Sequence, residues 1–340
     1  MPPLGFNEST LAQQHPRLHD LKMLRAFLIY LSQADWARRL VMRFSLARRT
    51  ALRFVAGETL EEALAAVAEL NQAGMLVTLD LLGEHTHNAE VATQATDRIC
   101  ETLDAIAASH ANSTLSIKLT QIGLKLDPDL CAANLQRIVA TAQRHGNFVR
   151  IDMEDSPVTD ITLDLLRRVR DQGFNNVGAV IQSYLYRSDA DVAALLKEGI
   201  RIRMVKGAYM EPHDVAYPKK EDVDASFDRL TAAMLEASRD WSADAPPGAG
   251  WPPLAAVASH DEARIEFAKA KAAELGLPKS ALEIQMLYGI RRELQSQLVA
   301  EGYPVRIYVP FGTEWYPYFM RRLAERPANL WFFLSNLFRS

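Results

Sequence analysis

Cysteine is nearly absent, with only Cys100 and Cys131 in 340 residues. Two thiols are too few for a disulfide framework or a thiolate metal centre, so the expected compartment is a reducing cytosol and both cysteines read as small core residues. Charge of one sign is also lacking: the net charge is -4, which gives no general attraction to nucleic acid. Apolar stretches near Leu28 and Trp331 are too short, or too interrupted by arginine, for the roughly 20 residues that a bilayer span needs. Met1 to Gln14 show no basic start followed by an apolar run, so no secretory leader is expected. No Gly-x-Gly-x-x-Gly turn follows an early apolar run, which removes the usual marker of an open dinucleotide-binding sheet. The single Gly-x-Gly, at Gly248 and Gly250, lies among Pro246, Pro247, Pro252 and Pro253 and reads as a loop. No Gly-x-Ser-x-Gly elbow occurs, and Ser259, His260 and Asp261 are consecutive and cannot form a relay, which argues against a serine hydrolase. His85 and His87 have no carboxylates at ligand spacing, so no metal is expected.

What is present is a globular composition, 49% hydrophobic and 24% charged. From about residue 60 the chain alternates helical periodicity with short runs of Val, Ile and Leu, the pattern of repeated βα units around a parallel sheet. Eight runs lie at 75–80, 115–119, 148–152, 177–182, 201–205, 254–259, 282–287 and 305–309. Helices are expected after them, as at 88–109, 130–145, 161–172, 221–240 and 261–275. Eight such units predict an α/β protein with a closed (β/α)8 TIM-type barrel over 59–340. Residues 1–58 read as an extra N-terminal helical segment, and Glu211 to Lys220 as an excursion loop. The first 53 residues carry nine Lys or Arg against three acids, a basic face that reads as solvated, with peripheral contact to acidic lipid left open. The apolar stretch Leu330 to Phe338 is expected to pack on the barrel.

Catalytic groups of such barrels sit at the C-terminal ends of the strands. The polar residues closing the runs are Lys118, then Asp152, Met153 and Glu154, then Gln182, then Arg203 and Lys206, then Ser259, His260 and Asp261, and Tyr308 in the last run. Burying a Lys, an Asp, an Arg and a His there is costly unless they are paired or used. Farther on, Tyr318, Arg321, Arg322 and Glu325 stand at i, i+3, i+4 and i+7 and share one helix face. Two neighbouring guanidiniums suit a bidentate grip on a carboxylate or phosphate, with Glu325 orienting Arg321. Five cations, Lys118, Arg203, Lys206, Arg321 and Arg322, would then converge on one barrel mouth. A carboxylate substrate and a diphosphate-bearing cofactor would neutralise them better than the few acids nearby. A Schiff-base aldolase stays open on these residues, since Lys118 and Lys206 occupy plausible places for a desolvated amine. So does a non-catalytic barrel binding flavin or an imino acid.

The run Arg203-Met204-Val205-Lys206-Gly207-Ala208-Tyr209, followed by Glu211 and Pro212, resembles a segment of the proline dehydrogenase family, which includes the barrel domain of bifunctional proline utilisation flavoproteins. The tail agrees: Arg306, Tyr308, Pro310 and Gly312 precede Tyr318, Arg321, Arg322 and Glu325. The resemblance implies a barrel that binds FAD without a dinucleotide-binding domain. It implies oxidation of L-proline to (S)-1-pyrroline-5-carboxylate by hydride transfer from C5 to flavin N5, with electrons passed to a membrane quinone. By position, Lys118, Arg321 and Arg322 are expected to hold the proline carboxylate, Glu325 to orient Arg321, Tyr308 and Tyr318 to wall the ring, and Met204 to cover its apolar edge in place of the family's leucine. Arg203 is expected near flavin N5, Met153 and Gln182 against the isoalloxazine, and Lys206, Gly207, Ala208, Ser259 and His260 along the ribityl and diphosphate part. Asp261 stands where the family more often has Asn. Asp152 matches an acidic position beside the site, as base or as orienting group. The expected location is cytoplasmic, with peripheral contact at the inner face of the membrane left open, and the product is expected to pass to a separate 1-pyrroline-5-carboxylate dehydrogenase.

Overall fold

The computed structural model describes residues 52–83, 86–241 and 250–325, with positions 30, 31, 34 and 36. The contact pattern separates two compact units, Leu52–Trp315 and a second formed by 1–51 with 316–340. The first unit is a closed parallel barrel whose strands follow in sequence order: β1 Leu76–Leu81, β2 Ser113–Ile117, β3 Val149–Ile151, β4 Val177–Gln182, β5 Ile202–Val205, β6 Ala255–Ala258, β7 Leu282–Leu287 and β8 Val305–Phe311. Each pairs in parallel with the next, and β8 closes on β1 with Tyr308 opposite Thr78. The expected barrel is thus present, with every predicted run forming a strand.

Helices α1 Leu60–Gln72, α2 Ala89–Ala108, α3 Pro128–Arg144, α4 Thr159–Asp171, α5 Ser188–Lys197, α6 Lys220–Ala237, α7 Glu262–Glu274, α8 Arg292–Ala300 and α9 Trp315–Glu325 alternate with the strands. Local chemistry starts them. Thr59 and Glu62 form a reciprocal capping box at α1. Asp127 caps α3 with Pro128 in its first turn, and Asp261 accepts from Ala263 N–H to cap α7. Of the expected excursion, Glu211 to Lys219 falls in the loop between β5 and α6 and Lys220 opens α6; the loop forms one antiparallel bridge, Leu185 to Ala216. Apart from the positions named above, the segment read as helical over residues 1–53 lies outside the described residues, as do the apolar tail and His85.

The strands divide by their two-residue period. One set, including Val77, Leu79, Ile117, Ile151, Met204, Val257, Ile284 and Ile307, is fully or almost fully buried in the apolar core cluster with residues of the helices. The alternate set is polar: Thr78, Asp80, Ser116, Arg150, Arg203, Glu283, Gln285 and Arg306, each no more than 4% exposed. Arg203 on β5 bonds to Ser116 on β2 and Gln285 on β7, so this set points into the lumen. Barrel interiors are usually filled by branched apolar side chains; this one is filled by hydrogen-bonded charge.

Candidate active site

Three strand ends meet at Asp152. Its Oδ1 accepts from Arg203 Nη1 at 2.9 Å, and its Oδ2 from the Tyr308 hydroxyl at 2.7 Å. Lys118 Nζ lies 3.4 Å from the same Oδ2, 3.2 Å from Tyr308 Oη, and 3.1 and 3.0 Å from the two oxygens of Asp80. Arg203 is held at three points, since it also donates to Ser116 Oγ and Gln285 Oε1. Gln285 donates to Glu283, and Glu283 takes two bonds from Arg306, which also donates to Val77 O, Thr114 Oγ1 and Gly250 O. A continuous chain of bonds therefore runs through the lumen and fixes the guanidinium of Arg203.

Burial sets the protonation states here. It pushes the Tyr308 phenol well above its ordinary value, with the charges of Asp152 and Asp80 adding to the shift, so Tyr308 remains a donor to Asp152. Burial also raises Asp80, against the pull of the Lys118 ammonium. Two nearly equal Nζ contacts are the geometry of an ionised carboxylate facing an ammonium. Deeper in the lumen, burial and the neighbouring Arg203 lower Arg150 well below the usual arginine value.

Lys118, Asp152, Arg203 and Tyr308, predicted from the sequence, are brought together. Met204 is not: it is fully buried in the apolar layer, because successive strand residues point to opposite faces and its neighbour Arg203 takes the lumen. Met153 is buried at the end of β3. Gln182 is buried and donates to Glu154 O at 2.9 Å. Lys206 lies between Asp224, at 2.5 Å, and Asp261, at 2.6 Å. Ser259 Oγ accepts from Asp261 N–H, His260 Nε2 accepts from Leu287 N–H, and Ala208 is exposed. Gly207 has φ +119°, and a Cβ there would meet the Tyr184 ring at 2.4 Å. Tyr318, Arg321 and Arg322 lie on α9 in the second unit, where the Arg322 guanidinium stacks 5.1 Å from the Tyr318 ring centroid. The side chain of Glu325 lies outside the described residues.

The barrel cations already have acidic partners, contrary to the expectation that ligands would have to neutralise them. Asp80 and Asp152 face Lys118, Asp152 faces Arg203, and Asp224 and Asp261 face Lys206. Asp152 and Asp261 stand among the strand-closing residues read from the sequence, whereas Asp80 and Asp224 do not, and Asp80 stands 38 residues from Lys118. The available signal was polar residues two apart: Thr78 and Asp80, Ser116 and Lys118, Glu283 and Gln285. Ion pairing also disfavours the aldolase reading, since a Schiff-base lysine must be a neutral amine. Among the described residues no group of three or more His, Cys, Asp or Glu could hold a metal ion, and no described helix is long and apolar enough to cross a membrane. At the ends of β4 to β6, an amide, a guanidinium, an ammonium and an imidazole form a donor set that fits the polar edge and the phosphates of a flavin nucleotide, although Lys206 would share its protons with two carboxylates.

A sequence model described as proline dehydrogenase matches residues 63–333. The chain is 40% identical over 317 residues to proline dehydrogenase 1 of Bacillus subtilis, covering 93% of this chain and all of that one. It is 43% identical over 291 residues to the proline dehydrogenase of Deinococcus radiodurans, covering 84% of this chain and 89% of the other. Among solved structures it is similar to proline utilization A from Bdellovibrio bacteriovorus inactivated by N-propargylglycine, with a TM-score of 0.76 and 25% identity over 89% of this chain and 36% of that longer one.

Proposed function

The chain belongs to the proline dehydrogenase family and is an enzyme of that class, and from this premise we propose that it oxidises L-proline to (S)-1-pyrroline-5-carboxylate with FAD as its cofactor and a membrane quinone as the final acceptor. The observation that carries the reading is the network joining Lys118, Asp152, Arg203 and Tyr308 across the ends of four strands. By the family resemblance Lys118, Arg321 and Arg322 are assigned to the proline carboxylate, each suited to a charge-assisted bond, with Glu325 assigned to orient Arg321. Tyr308 and Tyr318 are assigned to the five-membered ring on the same ground. Asp152 organises Lys118, Arg203 and Tyr308, since three donors converge on its carboxylate and fix it as an orienting group. The amine must lose its proton to solvent before C5 can give up a hydride. FAD, when bound, would supply the two-electron acceptor for this oxidation. Arg203 would supply fixed positive charge for it, and Met153, Gln182, Lys206, Gly207, Ala208, Ser259 and His260 would hold the cofactor.

The test is the flavin absorbance of the purified protein under anaerobic conditions. Bleaching by L-proline and not by D-proline is the expected result. A flavin band indifferent to both would refute the substrate, and a colourless protein that cannot be reconstituted with FAD would refute the cofactor.

A further inference from the structure

Asp80 is the carboxylate in contact with Lys118 to which the scheme above gives no task. It sits in β1 at 1% exposure, and both of its oxygens face Lys118 Nζ, at 3.1 and 3.0 Å. The same ammonium lies 3.2 Å from Tyr308 Oη and 3.4 Å from Asp152 Oδ2. An ammonium has three protons, and these four contacts offer more acceptors than it can serve at full strength. The two shortest fix where it rests, so Asp80 is the anchor and Asp152 the weaker neighbour.

We propose that Asp80 is a positioning residue for carboxylate recognition, holding the Lys118 ammonium at the end of β2 so that an incoming carboxylate displaces the long Asp152 contact and leaves the Asp80 contacts in place. The proposal rests on the reading of Lys118 as a carboxylate ligand. Strand register supports it: Asp80 pairs with Ser116, and Lys118 follows two residues later on the same face, so Asp80 reaches the ammonium diagonally from the adjacent strand. Charge supports it as well. Asp80 and Asp152 balance Lys118 and Arg203, so a further anion is accommodated where a cation has a weak contact to give up. A lysine whose long side chain is already fixed loses less freedom when the ligand arrives.

The experiment titrates two ligands calorimetrically into the flavin-loaded holoenzyme: cyclopentanecarboxylate, which has no amine to oxidise, and its neutral carboxamide. Wild type is expected to prefer the carboxylate. Lys118→Met is expected to weaken the carboxylate by about tenfold and spare the carboxamide, Asp80→Asn to do the same, and the double variant to lose no more than either. Absence of any preference in wild type, or an unchanged carboxylate affinity in Lys118→Met, overturns the reading of Lys118 and the proposal with it. A selective loss in Lys118→Met with none in Asp80→Asn, or an equal loss of both ligands in Asp80→Asn, overturns the proposal alone. If Asp80→Asn does not fold, Asp80→Asn with Lys118→Met decides: recovery of folding shows that Asp80 acts through Lys118, and continued failure overturns it.

Discussion

Replacing Asp152 by Asn is expected to cost stability in a way that depends on Arg203. The carboxylate accepts from Arg203 at 2.9 Å and Tyr308 at 2.7 Å, and the Arg203 and Asp152 side chains are only 5% and 14% exposed. Asparagine keeps one acceptor and turns the other oxygen into a donor, which leaves a buried guanidinium with Ser116 and Gln285 but no counter-charge. Removing one member of a buried pair costs about 3–5 kcal/mol. With an unfolding entropy of about 2.1 cal/mol/K per residue, a chain of 340 residues loses roughly one degree for each 0.7 kcal/mol, so Tm should fall by about 4–7 °C. Scanning calorimetry of Asp152→Asn, Arg203→Met and the double variant separates pairing from mere packing. The double variant should be less destabilised than the sum of the singles by at least about 1.5 kcal/mol. A Tm within about 1 °C of wild type for Asp152→Asn, or additivity within about 0.5 kcal/mol, would refute the reasoning.

Gly207→Ala should destabilise by about 2–4 kcal/mol in urea titrations and reduce FAD retention, because the left-handed φ of +119° and the Tyr184 ring both oppose a Cβ. Arg321→Met should raise KM for L-proline by about 10- to 100-fold with FAD content unchanged, since one charge-assisted contact is worth about 1.5–3 kcal/mol; an unchanged KM would remove Arg321 from the carboxylate clamp. The Lys206 hydrogen bond holds the Asp261 carboxyl below its ordinary value of 3.8, so the native state binds fewer protons than the unfolded chain between the two values. The stabilisation is therefore complete above the unfolded value and lost as pH falls through the folded one. Thermal melts of Asp261→Asn should accordingly lie below wild type by a constant margin at neutral pH, and the margin should shrink below about pH 4; a gap that widened in acid would contradict the assignment.

Much of the fold is legible because the signals are local. Val177 to Gln182 and Leu282 to Leu287 have the strand bounds read from composition alone, since short apolar runs closed by turn residues rarely fit anything but a buried strand. Helix starts are read less closely: the helix expected at 130–145 begins at Pro128, where Asp127 caps its backbone. Lys118, Asp152, Arg203 and Tyr308 stood out because a charge or a phenol inside an apolar run must be paired or used. The same reading misplaced Met204, where the family resemblance outweighed the two-residue period that turns it away from Arg203. It also passed over Asp80, which ends an apolar run as plainly as Asp152 does.

By itself, then, the sequence determined the element order, the barrel and the chemical types gathered at the strand ends, because backbone propensity and burial act over a few residues. Only the tertiary structure decided the pairings: Asp80 with Lys118, Gln285 with Arg203 across 82 residues, and Asp224 with Lys206. Those depend on strand register and on β8 closing against β1, a geometric condition on the whole ring that no local window contains. Closure is also what turns alternate polar residues of six separate strands into one charged lumen.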